Sequence, residues 1–255
     1  MADLGVDVLL LSVGADLPYF CGYEAMPLER LTLLVVPVDG EARLLVPGLE
    51  APRVVERPGV FDLVPWGDGE DPIARAVSLI GPSEVAAVGD QMWAGFLVDL
   101  TGALPSTRFV RASEVTAPIR SIKDGPEVEA LRAAGAAVDR IAADLQAGAV
   151  PLVGRTEAEV AAQIGARILD EGHYRVNFVI VASGENAASP HHEPGPRVIR
   201  PDEGVLFDFG GTMADADGVG YCSDITRCVH TGEPPTEFGE LYDVLFASQA
   251  AGVAA

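Results

Sequence analysis

A change of rhythm along the chain constrains its fold more than any single residue does. From Val6 to about Ser113, short apolar runs alternate with amphipathic stretches; beyond it the order becomes helix, helix, strand, strand, strand. VDVLLLSV, LTLLVVPV, ARLLVP, FDLVPW, EVAAVG and TRFVRAS have the length and residue types of strands, whereas DPIARAVSLIG and MWAGFLVDLTG read as helices. Such interleaving predicts an α/β region built on a mixed sheet. Asp39-Gly40, between two apolar runs, predicts a tight hairpin whose two central residues both accept positive φ.

The rhythm breaks in EVTAPIRSIKDGP, where prolines, charges and a new helix start coincide. We place a domain boundary there, giving an N-terminal domain over 1–117 and a second over 118–255. Asp124 and Glu127 have capping-box spacing, and Val128, Leu131, Ala134, Val138, Ile141 and Leu145 then recur on one helical face. Thr156 and Glu159 repeat the pattern before Val160, Ile164 and Ile168, and Gly172 suits the helix end. The β-like runs 175–183, 204–211 and 218–230 follow, with a further helix from about Glu237.

Composition narrows the function classes. Asp and Glu outnumber Lys and Arg by 38 to 17, a formal net charge of −21, so nucleic acid and anionic membranes would be repelled over most of the surface. The apolar run Val8–Val13 is too short to span a bilayer and lacks a basic flank or cleavage site, so it reads as a buried strand. Cys21, Cys222 and Cys228 are too few and too irregularly spaced for a disulfide framework or zinc knuckle, and a reducing cytoplasm is the expected compartment. No phosphate loop, dinucleotide fingerprint, GxSxG or HExxH is present.

Chemistry concentrates in the second part. Asp208 sits within VLFDFGG, where a carboxylate loses hydration unless something positive compensates. Period-two alternation puts Leu206, Asp208 and Gly210 on one face, and Cys222, Asp224, Thr226 and Cys228 on one face of the next run. Paired as a hairpin, the runs bring both carboxylates together. The compensating charge is either Arg227, which parity sends to the opposite face, or a divalent cation; structural acids remain the bland reading. His191 and His192 lie in SGENAASPHHEPGPR, a loop after a strand, which suits either substrate contact or simple exposure. Cys222 and Cys228 are read as small core residues.

FDFGG and GYCSDITR, with VASGENAASPHHEPGPR and RSIKDGPEVEALRAA before them, resemble the Xaa-Pro aminopeptidase and prolidase branch of the pita-bread metallopeptidases. VDVLLLSVGADLPYFCGYE resembles the creatinase-type N-terminal domain. The resemblance spans nearly the whole chain. It implies an α/β (α+β) architecture, a creatinase-like mixed-sheet domain followed by the first half of a pita-bread domain. It further implies metal-dependent hydrolysis of Xaa-Pro bonds by a cytoplasmic protein that is a homodimer when complete. Asp208 matches the first metal-ligand aspartate and Asp224 the bridging one, around two divalent ions for which Mn, Co, Zn or Fe are suited. His191 matches the substrate-contacting histidine, and His192 and Arg227 resemble substrate-binding residues or residues just behind them.

The chain departs from the family pattern in two places. Asp208 and Asp224 are 16 residues apart, a few more than usual, with the excess in TMADADGVG. The remaining ligands of the family, one histidine and two glutamates, have no match, and the start falls inside the resembled first helix. The chain is therefore expected to be part of a longer product and to be inactive alone. Two rival readings are a catalytically dead pita-bread module that binds peptides or proteins, and a metal-free hydrolase like creatinase.

Overall fold

In the computed structural model, which describes all residues from Met1 to Ala255, the chain divides into two compact units. These are Met1–Asp124 with Asp217–Val219, and Gly125–Ala216 with Gly220–Ala255. The boundary read at 117/118 falls inside a helix, and the first unit runs on to Asp124.

The first unit carries strands β1 (Val8–Leu11), β2 (Leu33–Pro37), β3 (Ala42–Pro47), β4 (Phe61–Trp66), β5 (Val85–Val88) and β6 (Arg108–Arg111). Helices α1 (Asp16–Cys21), α2 (Pro72–Ile80), α3 (Ala94–Ala103) and α4 (Ser113–Ser121) connect or cover them. The strands form one mixed sheet in the order β4-β3-β2-β1-β5-β6. Its two faces each carry a core, which is why β1 reads as continuous VLLL: Leu9 and Leu11 pack with Leu34, Leu44 and Leu17, while Val8 and Leu10 pack with Leu45, Trp66 and Leu100. The β2–β3 hairpin forms, but only Gly40 takes positive φ (118°) and Asp39 does not, so the tight two-residue turn is replaced by a longer one. α4 occupies the segment in which the sequence places the domain boundary and tolerates Pro118 within it.

In the second unit, α5 (Gly125–Gln146) and α6 (Glu157–Asp170) lie on one face of a sheet of β7 (Arg175–Ser183), β8 (Gly204–Ala214), β9 (Gly220–Cys222) and β10 (Ile225–His230). Thr156 caps α6 reciprocally: Glu159 N donates to Thr156 Oγ1 at 3.1 Å and Thr156 N to Glu159 Oε2 at 2.8 Å. Ile141, Leu145, Val160, Ile164 and Ile168 bury against Val181, Phe207, Phe209 and Ile225. This fixes which strand residues face the helices and, by alternation, which face away. The run 218–230 is not one strand but two, β9 and β10, parted at Ser223 and Asp224. The last helix, α7 (Thr236–Ala254), has no buried residue.

Candidate metal centre and peptide cavity

The sheet face turned away from α5 and α6 bears a cavity of about 530 Å³. Asn177, Phe178, Val179 and Ile180 of β7, Asp208 of β8, Asp224 and the loop residues His191 to Pro194 line it. Asp208 stands opposite Ile180 on one side and Thr226 on the other, and Thr226 Oγ1 donates to its Oδ1 at 2.8 Å. Asn177 is an extra residue between the pairs Val176–Gly211 and Phe178–Gly210, a bulge at the rim of the cavity.

Asp224 lies at the parting of β9 and β10. The ladder register continues through that parting, from Cys222 opposite Thr212 to Ile225 opposite Phe209, which sets Asp224 beside Gly210 and diagonal to Asp208. Glycine is required there: a Cβ on Gly210 would fall on the carbonyl of Ser223 and 3.2 Å from the Asp224 Cα. Ser223 is pinned in turn, its amide donating to Gly211 O at 2.9 Å and its hydroxyl 2.9 Å from His173 Nε2. Burial, and then the neighbouring Asp208 carboxylate, hold the Asp224 carboxyl above its ordinary value.

The two carboxylates thus converge without a protein cation between them. Arg227 lies on the other side of the sheet, opposite Phe207, with Nη1 on the Thr226 carbonyl at 2.8 Å and Nη2 4.0 Å from Asp139 of α5. The structure thus sets Arg227 outside the cavity lining, on the helix-covered side of the sheet, as strand alternation demands. His191 is exposed at the cavity, and His192 lines it with Nε2 2.7 Å from Glu157 Oε2. Cys222, read as core, is exposed beside Asn177 and Thr212, while half-buried Cys228 has its thiol pushed up by burial.

Two hard oxygen donors facing each other suit part of a divalent-cation site. No group of three or more His, Cys, Asp or Glu side chains gathers to complete one within these residues. Sequence reasoning missed Glu157, the buried partner of His192, and the Asn177 bulge. Glu157 directly follows a helix cap, where acidic residues are commonplace, so only tertiary structure distinguishes it.

A mixed-sheet unit followed by two helices over a sheet with paired acids defines a class, and the chain belongs to metallopeptidase family M24. The family model matches residues 128–255, and that of the creatinase/prolidase N-terminal domain matches residues 1–122. Among curated relatives, a probable dipeptidase PepE of Mycobacterium tuberculosis is 40% identical over 98% of this chain, which spans 66% of that protein's length. The crystal structure of dipeptidase PepE from Mycobacterium ulcerans superposes with a TM-score of 0.81 at 37% identity, covering 95% of this chain and 64% of that one. A prolidase from Thermococcus sibiricus gives a TM-score of 0.88 at 30% identity, over 99% of this chain and 68% of that one.

Proposed function

We propose that this chain is the larger part of a metal-dependent peptidase that hydrolyses Xaa-Pro bonds, as a dipeptidase or aminopeptidase. The observation that carries the reading is the convergence of Asp208 and Asp224, uncompensated by any arginine, in a cavity faced by His191. The names of the relatives, dipeptidase and prolidase, support the substrate class.

Asp208 and Asp224 would hold divalent ions, two in number and drawn from Mn, Co, Zn or Fe, with Asp224 as the shared ligand. Bound there, such ions supply polarisation of the scissile carbonyl and a lowered pKa of water. Thr226 keeps the Asp208 carboxylate oriented through its hydroxyl. Phe178 and Ile180, on the sheet face away from the helices, give the cavity an apolar wall on which a proline ring, lacking an N–H, can pack. His191 stands where it can meet the peptide and transfer a proton as the bond breaks. The three free cysteines fit a reducing cytoplasm, and a homodimer of the complete gene product completes the proposal.

In the complete gene product, Asp224→Asn is expected to abolish Xaa-Pro hydrolysis and lower bound metal, because the amide keeps the size but loses the anionic donor. Normal activity with normal metal content would remove Asp224 from the mechanism. The two-donor set within these 255 residues also supports a second reading, a peptide-binding module without catalysis. Peptide binding by a complete gene product that neither holds metal nor hydrolyses peptides would favour it. On the first reading the 255-residue chain alone binds ions weakly and cleaves nothing.

A further inference from the structure

Glu157 is the first residue of α6, yet its side chain is fully buried. Its Oε1 accepts from the Ser183 amide at 2.8 Å, the Ser183 hydroxyl at 2.7 Å and Asn186 Nδ2 at 3.1 Å. Its Oε2 meets Asn186 Nδ2 at 3.1 Å and His192 Nε2 at 2.7 Å. The Ser183 proton is committed to Glu157, because the same hydroxyl oxygen accepts from Arg197 Nη1 and an arginine only donates. Arg197 is itself clamped by Glu203 at 2.7 and 2.8 Å. Burial opposes ionisation of Glu157, but these donors, the Ser183 hydroxyl and amide foremost, outweigh it and lower the carboxyl to about 2.

An ionised carboxylate has no proton to give, so the His192 proton must sit on Nε2. The neutral ring then carries its lone pair on Nδ1, to which no protein group is bonded. His192 also lines the cavity that holds Asp208 and Asp224. We propose that Glu157 is a positioning residue that holds His192 as its Nε2–H tautomer, so that the imidazole meets a bound peptide as an acceptor through Nδ1. A bond to proline has no N–H, so the group accepted from an Xaa-Pro dipeptide is its free α-amine. The ligand half of this inference rests on the peptidase reading; the tautomer half does not.

Glu157→Gln tests both halves. The Ser183 amide and hydroxyl, both bonded to Oε1, keep the acceptor oxygen at that position, so the carboxamide nitrogen replaces Oε2 and presents N–H to His192, while Asn186 Nδ2 turns to Oε1 alone. The ring proton must then move to Nδ1. Nitrogen NMR of the full chain with labelled histidine, at about pH 9 where imidazoles are neutral, reads which ring nitrogen is protonated. The expected result is Nε2–H in the wild type and Nδ1–H in the variant. An Nδ1–H signature in the wild type, or an unchanged tautomer in a folded E157Q, overturns the proposal. Should E157Q fail to fold, the wild-type spectrum alone decides.

In the complete gene product, E157Q is expected to raise KM for an Xaa-Pro dipeptide roughly tenfold with kcat nearly unchanged, the value of one hydrogen bond to a charged group. A loss confined to kcat overturns the ligand half. A wild-type protein that hydrolyses no Xaa-Pro peptide overturns the peptidase reading instead, and the spectrum still decides the tautomer.

Discussion

Gly210→Ala should be among the most damaging single methyl additions to the second unit, and the structure says by how much. The new Cβ would lie 2.9 Å from the carbonyl carbon of Ser223, and nearer still to its oxygen, whereas real Cβ atoms stay beyond 3.0 Å. These are backbone atoms that cannot rotate aside, so β8 and the Ser223–Asp224 segment must part by roughly 1 Å, an overpacking that costs about 1–3 kcal/mol. The same movement stretches the Ser223 N to Gly211 O bond from 2.9 Å and the Gly211 N to Ser223 Oγ bond from 3.1 Å past useful length. At about 1 kcal/mol each, and less the fraction of a kilocalorie that alanine recovers in chain entropy, the total is about 3 kcal/mol. With a urea slope of about 1.5 kcal/mol/M, the midpoint falls by about 2 M. Gly135→Ala in α5 is the control, since its Cβ would meet nothing within 4 Å, and it should gain about 0.5–1 kcal/mol. Both tryptophans, Trp66 and Trp93, lie in the first unit, so the transition is best followed by hydrogen exchange of the peptide covering β8. A Gly210→Ala chain with the wild-type midpoint would refute the close approach that seats Asp224.

Asp224→Asn should act in the opposite direction on the metal-free chain. A carboxyl whose folded value is raised, here by burial and then by Asp208, costs stability above that value, and the cost disappears as pH falls below the unfolded one. The variant should therefore unfold at higher urea at about pH 7 and converge on wild type near pH 3; a lower midpoint at neutral pH would contradict it. Glu157 has the reverse sign: lowered to about 2 from an ordinary 4.5, it stabilises fully above 4.5 and loses this as pH falls towards 2. The urea midpoint of Glu157→Gln should thus trail wild type at neutral pH by about 1–3 kcal/mol, with the gap closing in that acid window; a pH-independent gap would count against an ionised Glu157. His191→Ala in the complete gene product should lower kcat by roughly 100-fold at unchanged metal content. Loss of metal, or an unchanged kcat, would assign the residue elsewhere.

Much of this architecture is legible in the chain because burial writes itself into pattern. Leu9 and Leu11 face one core and Val8 and Leu10 the other, so β1 had to be apolar throughout. Phe207 and Phe209 face α5 and α6, which leaves Asp208 between them on the open face. The parting at Ser223 and Asp224 is invisible in GVGYCSDITRCVH because the ladder keeps its register through it, and for the same reason the parity argument survives. Other features leave weaker traces. α1 has only six residues, too few to display a helical period, and α4 contains Pro118, the usual mark of a linker. Cys222 looks apolar in sequence but is exposed, with its thiol beside the polar groups of Asn177 and Thr212. Glu157 is one more acid in the first turn of a helix until the chain returns 26 residues later with Ser183.

Asn186 and His192 both close on the Glu157 carboxylate. For an engineer, residues 187–191 are consequently a cassette: the span that carries His191 over the carboxylates is clipped at both ends to one side chain and takes no part in the β7–β8 register. Lengthening such a span is inexpensive, since doubling a flexible loop costs only about 0.6 kcal/mol. Libraries that vary its length and composition while retaining Glu157, Asn186, His191 and His192 would reshape the entrance to the cavity without disturbing the sheet beneath. On the peptidase reading, that makes the span the natural place to redirect which peptides are admitted.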